Sequence, residues 1–280
     1  MRDCKVRCIK VLNLEAIRQE YLKKGYTRAN ASAKVCQDII LKEISNSPFF
    51  KCVTIKGGVV MHSISQDGRR ATRDIDFDFI KYSLEDDSIK SFVEILSKNS
   101  DGIFFVINGK IEKLHHQDYD GKRVDIVVKD SFNNSIETKL DIGVQKDLDI
   151  IQEEYCFSLD VIDSSAKLLV NSVEQIFVEK LKSLLKFGIL STRYKDVFDF
   201  YYLICNTNIR REIFNKDLER FIYADDKLQI KSIDDILNRV SILFSSRKFV
   251  NNLKNAKNNW LDTPVEEVLP KIYDFLKSFR

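Results

Sequence analysis

The chain has 280 residues, a formal net charge of +3 at pH 7, a hydrophobic fraction of 44% and a charged fraction of 31%. These are values of a globular protein long enough for one large domain or two ordinary ones, and they exclude a disordered or fibrous chain. With three prolines and nine glycines the composition favours helices and short loops, and the mildly basic balance permits a nucleic-acid partner without requiring one.

Six cysteines are scattered without a CxxC pair, and Cys4 and Cys8 have no companions at ligand spacing, so a zinc site is not expected. The sequence starts Met-Arg-Asp-Cys-Lys without an apolar leader core, and no stretch approaches the roughly 18 uninterrupted apolar residues of a membrane span. A reduced, cytoplasmic protein without membrane contact is the expectation. Only His62, His115 and His116 are available, so a histidine-based triad is poorly supplied; the His115-His116 pair is expected to be exposed.

In chain order, residues 11–24 and 28–45 have the spacing of two amphipathic helices. The second places Ala33, Cys36, Ile40 and Ile44 on one stripe and is stopped by Asn46-Ser47-Pro48. A β-prone run follows (Cys52-Val53-Thr54-Ile55), then a Lys56-Gly57-Gly58 turn, an apolar segment with helical spacing (Val59, Val60, Ile64) and a Gly/Arg-rich loop. The next run alternates Asp74, Asp76 and Asp78 with Ile75, Phe77 and Phe79. In a strand the three aspartates share one face, about 7 Å apart, while the apolar residues bury the other. Residues 84–99 read as a helix with acidic residues in its first turn. From Ile103 three runs (FFVIN, KRVDIVVK and ETKLDIGVQ) read as successive antiparallel strands, with turn chemistry at Asp120-Gly121 and Asn133-Asn134.

Beyond about residue 165 the composition turns helical. A helix is expected over 173–187 with Gly188 as its stop, and Ser191 or Thr192 as cap of the next, which runs through the TRYKDVFDFYYLICN stretch. Further helices are expected near 215–223, 232–245, 247–259 and 265–279. The expected organisation is therefore an α/β domain over 1–165, including the N-terminal helices, and a helical domain over 166–280.

Three like charges on one strand face repel one another, and a divalent cation with hard oxygen ligands makes such an arrangement favourable. A Gly-Gly turn at a helix start offers backbone N–H groups and a positive dipole end to phosphate. Together they read as a metal-dependent nucleotide site. The plainer alternative is an edge strand with a solvated acidic face after an ordinary turn. Asp125 and Asp141, each set between apolar neighbours, are both candidates for a third carboxylate. Farther on, Glu179 and Lys180 sit mid-helix, and Arg193, Lys195, Asp196 and Asp199 crowd the start of the next helix. They read either as routine ion pairs or as cations that offset triphosphate charge.

Lys56-Gly57-Gly58, Thr72-Arg73-Asp74-Ile75-Asp76-Phe77-Asp78, Lys139-Leu140-Asp141-Ile142, Glu179-Lys180 and Arg193 through Asp199, in that order, resemble the AbiEii/AbiGii-type toxins, nucleotidyltransferase-like toxins of bacterial toxin–antitoxin and phage-defence systems. The resemblance covers about residues 35–205. It implies an α+β fold, a polymerase-beta-type mixed sheet with flanking helices followed by a helical C-terminal domain. It also implies transfer of a nucleoside monophosphate from an NTP, with Mg²⁺, to an acceptor that in some members is the 3′ end of tRNA, in a protein neutralised by a cognate antitoxin. Carried over, Gly57 and Gly58 bind the triphosphate with Lys56, Arg73, Lys180, Arg193 and Lys195. Asp74, Asp76 and Asp141 hold the metal, and Asp196 is the second domain's catalytic carboxylate. Asp141 is preferred over Asp125 as third strand carboxylate and as acceptor of the attacking hydroxyl's proton. The chain departs from the pattern at Val59, where the family often has a Thr, and in a long loop carrying Arg69, Arg70 and Arg73. Two alternatives stay open: another acceptor, protein or small molecule, and a catalytically silent module that binds nucleotide or a partner. For an RNA acceptor the candidate basic groove is Arg69, Arg70, Lys122, Arg123, Lys182 and Lys186. Tyr201 and Tyr202 are candidates to stack a base, though core packing is the commoner use of such residues.

Overall fold

The structure, a computed structural model, describes residues 11–98, 102–114, 121–145, 149–150 and 152–280. The chain divides into two compact units, one ending at Val170 and the other running Asn171–Arg280. The boundary expected at 165/166 falls inside a strand.

The first unit is built on one mixed sheet. Its strands are β1 (Val53–Ile55), β2 (Ile75–Ile80), β3 (Ile103–Ile107), β4 (Glu112–Lys113), β5 (Lys122–Asp130), β6 (Ser135–Gln145), β7 (Glu153–Leu159) and β8 (Ser164–Val170). The order is β3-β5-β6-β2-β1-β8-β7, with β4 added to β5. β6 runs parallel to β2 and β1 parallel to β8; the other pairs are antiparallel. The sequence expectation of successive antiparallel strands therefore holds for β3, β5 and β6, but β6 then returns alongside β2 in parallel. The β7–β8 hairpin corrects the expected onset of helix near 165. Asp163 at its turn has φ +53, a left-handed position that Asp tolerates.

The alternation in β2 sorts its faces. Ile75, Phe77 and Phe79 are fully buried, and Phe92 of α4 (Asp86–Lys98) packs against Phe77 and Phe79 at ring distances of 5.7 and 5.2 Å. Two further helices, α1 (Leu14–Lys23) and α2 (Arg28–Asn46), pack on each other, and α2 contacts β6, β8 and α4. The stripe expected on α2 (Ala33, Cys36, Ile40, Ile44) is buried. Capping explains where these helices begin. Asn13 Oδ1 accepts from Ala16 N–H at 2.8 Å, and Thr27 Oγ1 from Asn30 N–H at 3.3 Å. Asp130, the last residue of β5 before the chain turns, accepts Leu14 N–H at 2.8 Å and Phe132 and Asn134 N–H at 2.9 Å each, which ties the start of α1 to the sheet. Asn133 takes φ +65 in the same turn. The Asp120-Gly121 turn and the His115-His116 pair fall at or within positions outside the described residues, as do Cys4 and Cys8. The opposite face of β2 and β6 is left to Asp76, Asp78 and Asp141.

The second unit is helical: α5 (Val173–Phe187), α6 (Tyr194–Asn206), α7 (Arg211–Asp217) continued by a π-turn over Leu218–Tyr223, α8 (Ile233–Ser245), α9 (Arg247–Leu253) and α10 (Val265–Lys277). Ser172 caps α5 by accepting Gln175 N–H at 3.1 Å, and Gly188 (φ +52) stops it. Neither expected residue caps α6: Arg193 holds the N-cap position without a side-chain cap bond, while Ser191 Oγ accepts Arg193 N–H at 3.2 Å. Phe177, Phe200, Phe214 and Phe275 form an aromatic core with ring distances of 4.5–5.6 Å. Glu174 is fully buried beneath it and accepts two side-chain bonds from Arg210, at 3.0 and 2.8 Å.

Candidate active site

At the end of β1 the Lys56 N–H donates to the Asp76 carbonyl at 3.1 Å, the chain turns at Gly57 (φ +62), and α3 (Gly57–Ser65) begins. A Cβ at Gly57 would lie 2.9 Å from Asp76 Oδ2, and one at Gly58 would lie 2.8 Å from the Thr72 side chain. Only glycines let the helix start come this close to the carboxylate and to the hydroxyl. The first turn of α3 carries no acidic residue, so its N–H groups and positive dipole end present an anion-binding surface beside Asp76.

The carboxylates lie in strand register. Asp76 of β2 stands directly beside Asp141 of β6, one strand spacing away, about 4.8 Å. Asp78, two residues on, is buried and forms an ion pair with Lys56, whose Nζ is 2.8 and 2.9 Å from its two oxygens. The expected acidic face is therefore partly neutralised from within. Asp74 is exposed and precedes β2 rather than lying in it, so the three aspartates are not one strand face. Asp125 stands across from Lys139, 3.5 Å away, on β5, two strands from β2. Register thus makes Asp141, and not Asp125, the neighbour of Asp76.

Asp141 is engaged. Arg123 of β5 is directly across from it, with Nε and Nη2 donating to Oδ1 and Oδ2 at 2.7 and 2.6 Å. The hydrogen bond to Asp141 does most to hold the guanidinium above its usual range; burial opposes it, and the charges of Asp141, Asp74 and Asp125 raise it further. Asp74 therefore acts electrostatically on the same place. As donors for a hard cation Asp74 and Asp76 fit by chemistry, and each Asp141 oxygen already accepts a hydrogen bond from Arg123. Among the described residues no three carboxylate, imidazole or thiol groups are gathered as a ready cage.

In the helical unit Lys180 of α5 is buried between two carboxylates of α6, Asp196 at 2.5 Å and the fully buried Asp199 at 3.0 Å. The helix periodicity explains the pairing, since Asp196 and Asp199 share a face at i, i+3. Asp199, named in the sequence only as a neighbour, proves a second partner of Lys180 beside Asp196. Arg193, at the start of α6 and largely exposed, is 3.8 Å from Asp196, and Lys195 is half-buried in the first turn. In the first unit Arg73 is exposed and its Nε donates to Asn30 Oδ1 at 3.4 Å.

The candidate basic groove looks different once its residues are placed. Arg70 is buried, and Arg69, Lys122, Arg123 and Lys182 pair with Asp67, Asp86, Asp141 and Asp225. Lys186 lies over the Phe187 ring at 5.8 Å. Tyr202 packs on the buried Trp260 at 5.5 Å and the Tyr201 hydroxyl donates to Glu267, which are structural uses. His62 is buried against the Tyr26 hydroxyl at 2.9 Å; burial pushes its imidazole down to about 4, with Lys34 and Arg70 adding, so it is a neutral packing residue.

A mixed sheet that sets strand carboxylates against a Gly-Gly helix start, followed in the chain by a helical unit, has the parts of a nucleotidyltransferase. The family model described as nucleotidyl transferase AbiEii toxin, type IV toxin–antitoxin system, matches residues 39–267 of the 280, and the chain belongs to that family. It is thereby a nucleotidyltransferase, and the family implies an NTP substrate and an antitoxin as partner. No curated protein matches the chain. Among the described residues no helix is long and apolar enough to cross a membrane.

Proposed function

We propose that the protein is a Mg²⁺-dependent toxin of the cytoplasm that transfers a nucleoside monophosphate from an NTP to RNA, to the 3′ end of tRNA, and so blocks translation in a phage-defence setting. The observation that carries this reading is the contact of Gly57 with Asp76, next to Asp141: an anion-binding helix start and strand carboxylates share one place. In the sheet unit the α3 N-terminus would bind the triphosphate, with Lys56 and Arg73 contributing positive charge, and in the helical unit Arg193 and Lys195 are the cations that the proposed chemistry would use. Thr72, at Gly58, brings a hydroxyl to a turn whose Val59 has none. Lys180 would contact phosphate and Asp196 would serve as the helical unit's carboxylate. The acceptor hydroxyl oxygen forms a bond to the α-phosphorus, the bond to pyrophosphate breaks, and the hydroxyl proton passes to Asp141. Mg²⁺, when bound by Asp74 and Asp76 with Asp141 as third ligand, supplies charge neutralisation for the phosphates.

The test is incubation of the pure protein with total tRNA, Mg²⁺ and each α-labelled NTP in turn, with Asp76→Ala as control. Label in RNA only with the native protein supports the reading and names the nucleotide. NTP binding without labelled RNA moves the acceptor to a protein or small molecule. No binding of any NTP leaves a silent module.

A further inference from the structure

Arg123, Asp141 and Asp76 form a row across three neighbouring strands, each directly beside the next in register. The Arg123 fork uses two different nitrogens on two different oxygens of Asp141, at 2.7 and 2.6 Å. Such a bidentate pair is directional and stronger than a point contact. It is also partly shielded, the Asp141 side chain being 10% and that of Arg123 36% exposed, so solvent weakens it less than an open surface pair. Each carboxylate oxygen then carries one hydrogen bond from a cation, and a hard cation binding its remaining lone pairs meets the guanidinium's positive charge. Glu112 stands across from Arg123 in register on β4 and is exposed.

We propose that Arg123 is a positioning residue that holds Asp141 beside Asp76 and, by its charge, competes with a divalent cation for that carboxylate, so that the fork both orients Asp141 and weakens cation binding to it. This rests on the nucleotidyltransferase reading of the strand site. Competition moves two quantities in opposite directions, which a purely structural role does not. Without Arg123 the cation binds more tightly, because a competing charge is gone. Transfer slows, because Asp141 has lost the fork that orients it. Lysine at this position keeps the charge but offers one point of attachment, so it restores the orientation only in part.

The experiment is Mn²⁺ titration of the full-length protein by calorimetry, alongside the labelled-NTP transfer assay, for the native chain, Arg123→Ala, Arg123→Lys and Arg123→Ala combined with Asp141→Asn. Arg123→Ala is expected to tighten Mn²⁺ binding about tenfold, the effect of removing about 1.4 kcal/mol of competition, while lowering kcat. Arg123→Lys falls between it and the native chain, and the added Asp141→Asn cancels the gain. Unchanged or weaker Mn²⁺ binding in a folded Arg123→Ala overturns the proposal while native transfer activity leaves the reading beneath it standing. A native chain that neither binds Mn²⁺ nor transfers label overturns both. If Arg123→Ala does not fold, Arg123→Gln, which also removes the charge, carries the same test, and binding no tighter than native overturns the proposal.

Discussion

At Gly57 one missing methyl group lets a helix start and a carboxylate share the same space. A Cβ there would sit 2.9 Å from Asp76 Oδ2, and the φ of +62 disfavours any side chain. Because the obstructed atom is the end of a side chain, Gly57→Ala can be relieved by moving the carboxylate, which is the group the chemistry needs. The expected outcome is a loss of at least about 100-fold in transfer rate, or about 2.7 kcal/mol of barrier, with a stability loss of only about 1–2 kcal/mol. Initial rates and urea midpoints measure the two; an active Gly57→Ala protein removes the close approach from the site. Lys180 presents the opposite case, since its role in the fold is as large as any in catalysis. Lys180→Met withdraws the cation from Asp196 and from the fully buried Asp199, which should cost about 3 kcal/mol of stability. A urea midpoint unmoved by this substitution would show the ion pairs to be incidental. Lys180→Arg is the variant in which nucleotide binding can be read separately.

Among the elements, the parallel pairing of β2 with β6 decides which carboxylate the proposed site takes as its third. Asp141 stands beside Asp76, whereas Asp125 is a strand farther away and faces Lys139. Asp141→Asn should therefore lower the transfer rate by about 100-fold or more and Asp125→Asn by less than about threefold. Steady-state kinetics on both decides it, and the reverse order would move the site toward β5. The same β5–β6–β2 row explains why Arg123 holds a carboxylate rather than lying free for RNA. On α7, Asp217 is buried with Oδ2 lacking a hydrogen-bond partner. Burial pushes its carboxyl up from 3.8 to about 7, with Arg220 opposing and Glu174 and Glu179 adding. The folded chain thus keeps a proton that the unfolded chain releases above its ordinary pKa. That contribution is full below pH 3.8, where the unfolded carboxyl is also protonated, and is lost as pH rises through about 7, a change of up to about 4 kcal/mol. Asp217→Asn, which mimics the protonated form, should flatten the fall in stability between pH 5 and pH 8 measured by urea unfolding. Parallel native and mutant profiles would contradict it.

For the molecule as a whole, the two compact units carry different parts of the proposed chemistry: the sheet unit the helix start and the strand carboxylates, the helical unit Lys180 with Asp196 and Asp199. Much of this was legible in the chain. Local signals act over a few residues: the period-2 alternation of Ile75, Phe77 and Phe79, the Lys56-Gly57-Gly58 turn, the buried stripe of α2 and the Gly188 stop all correspond to elements found. The family was legible too, because its motifs are short and ordered, and they lie within the matched residues 39–267. The β7–β8 hairpin was not expected, although its exposed–buried alternation has the period of a strand. The antiparallel β3–β5–β6 run was legible, but the parallel pairing was not. Nothing local in Lys139-Leu140-Asp141 says that β6 runs parallel to β2. Nor does anything near Lys56 say that it neutralises Asp78, or anything near Arg123 that it clamps Asp141. Those partners are 22 and 18 residues apart in the chain. Propensity and periodicity act through neighbours in the sequence, so they decide which segments become strands and helices and which faces are apolar. Register and ion pairing act through space, so only the assembled sheet decides which carboxylates meet and which cations hold them.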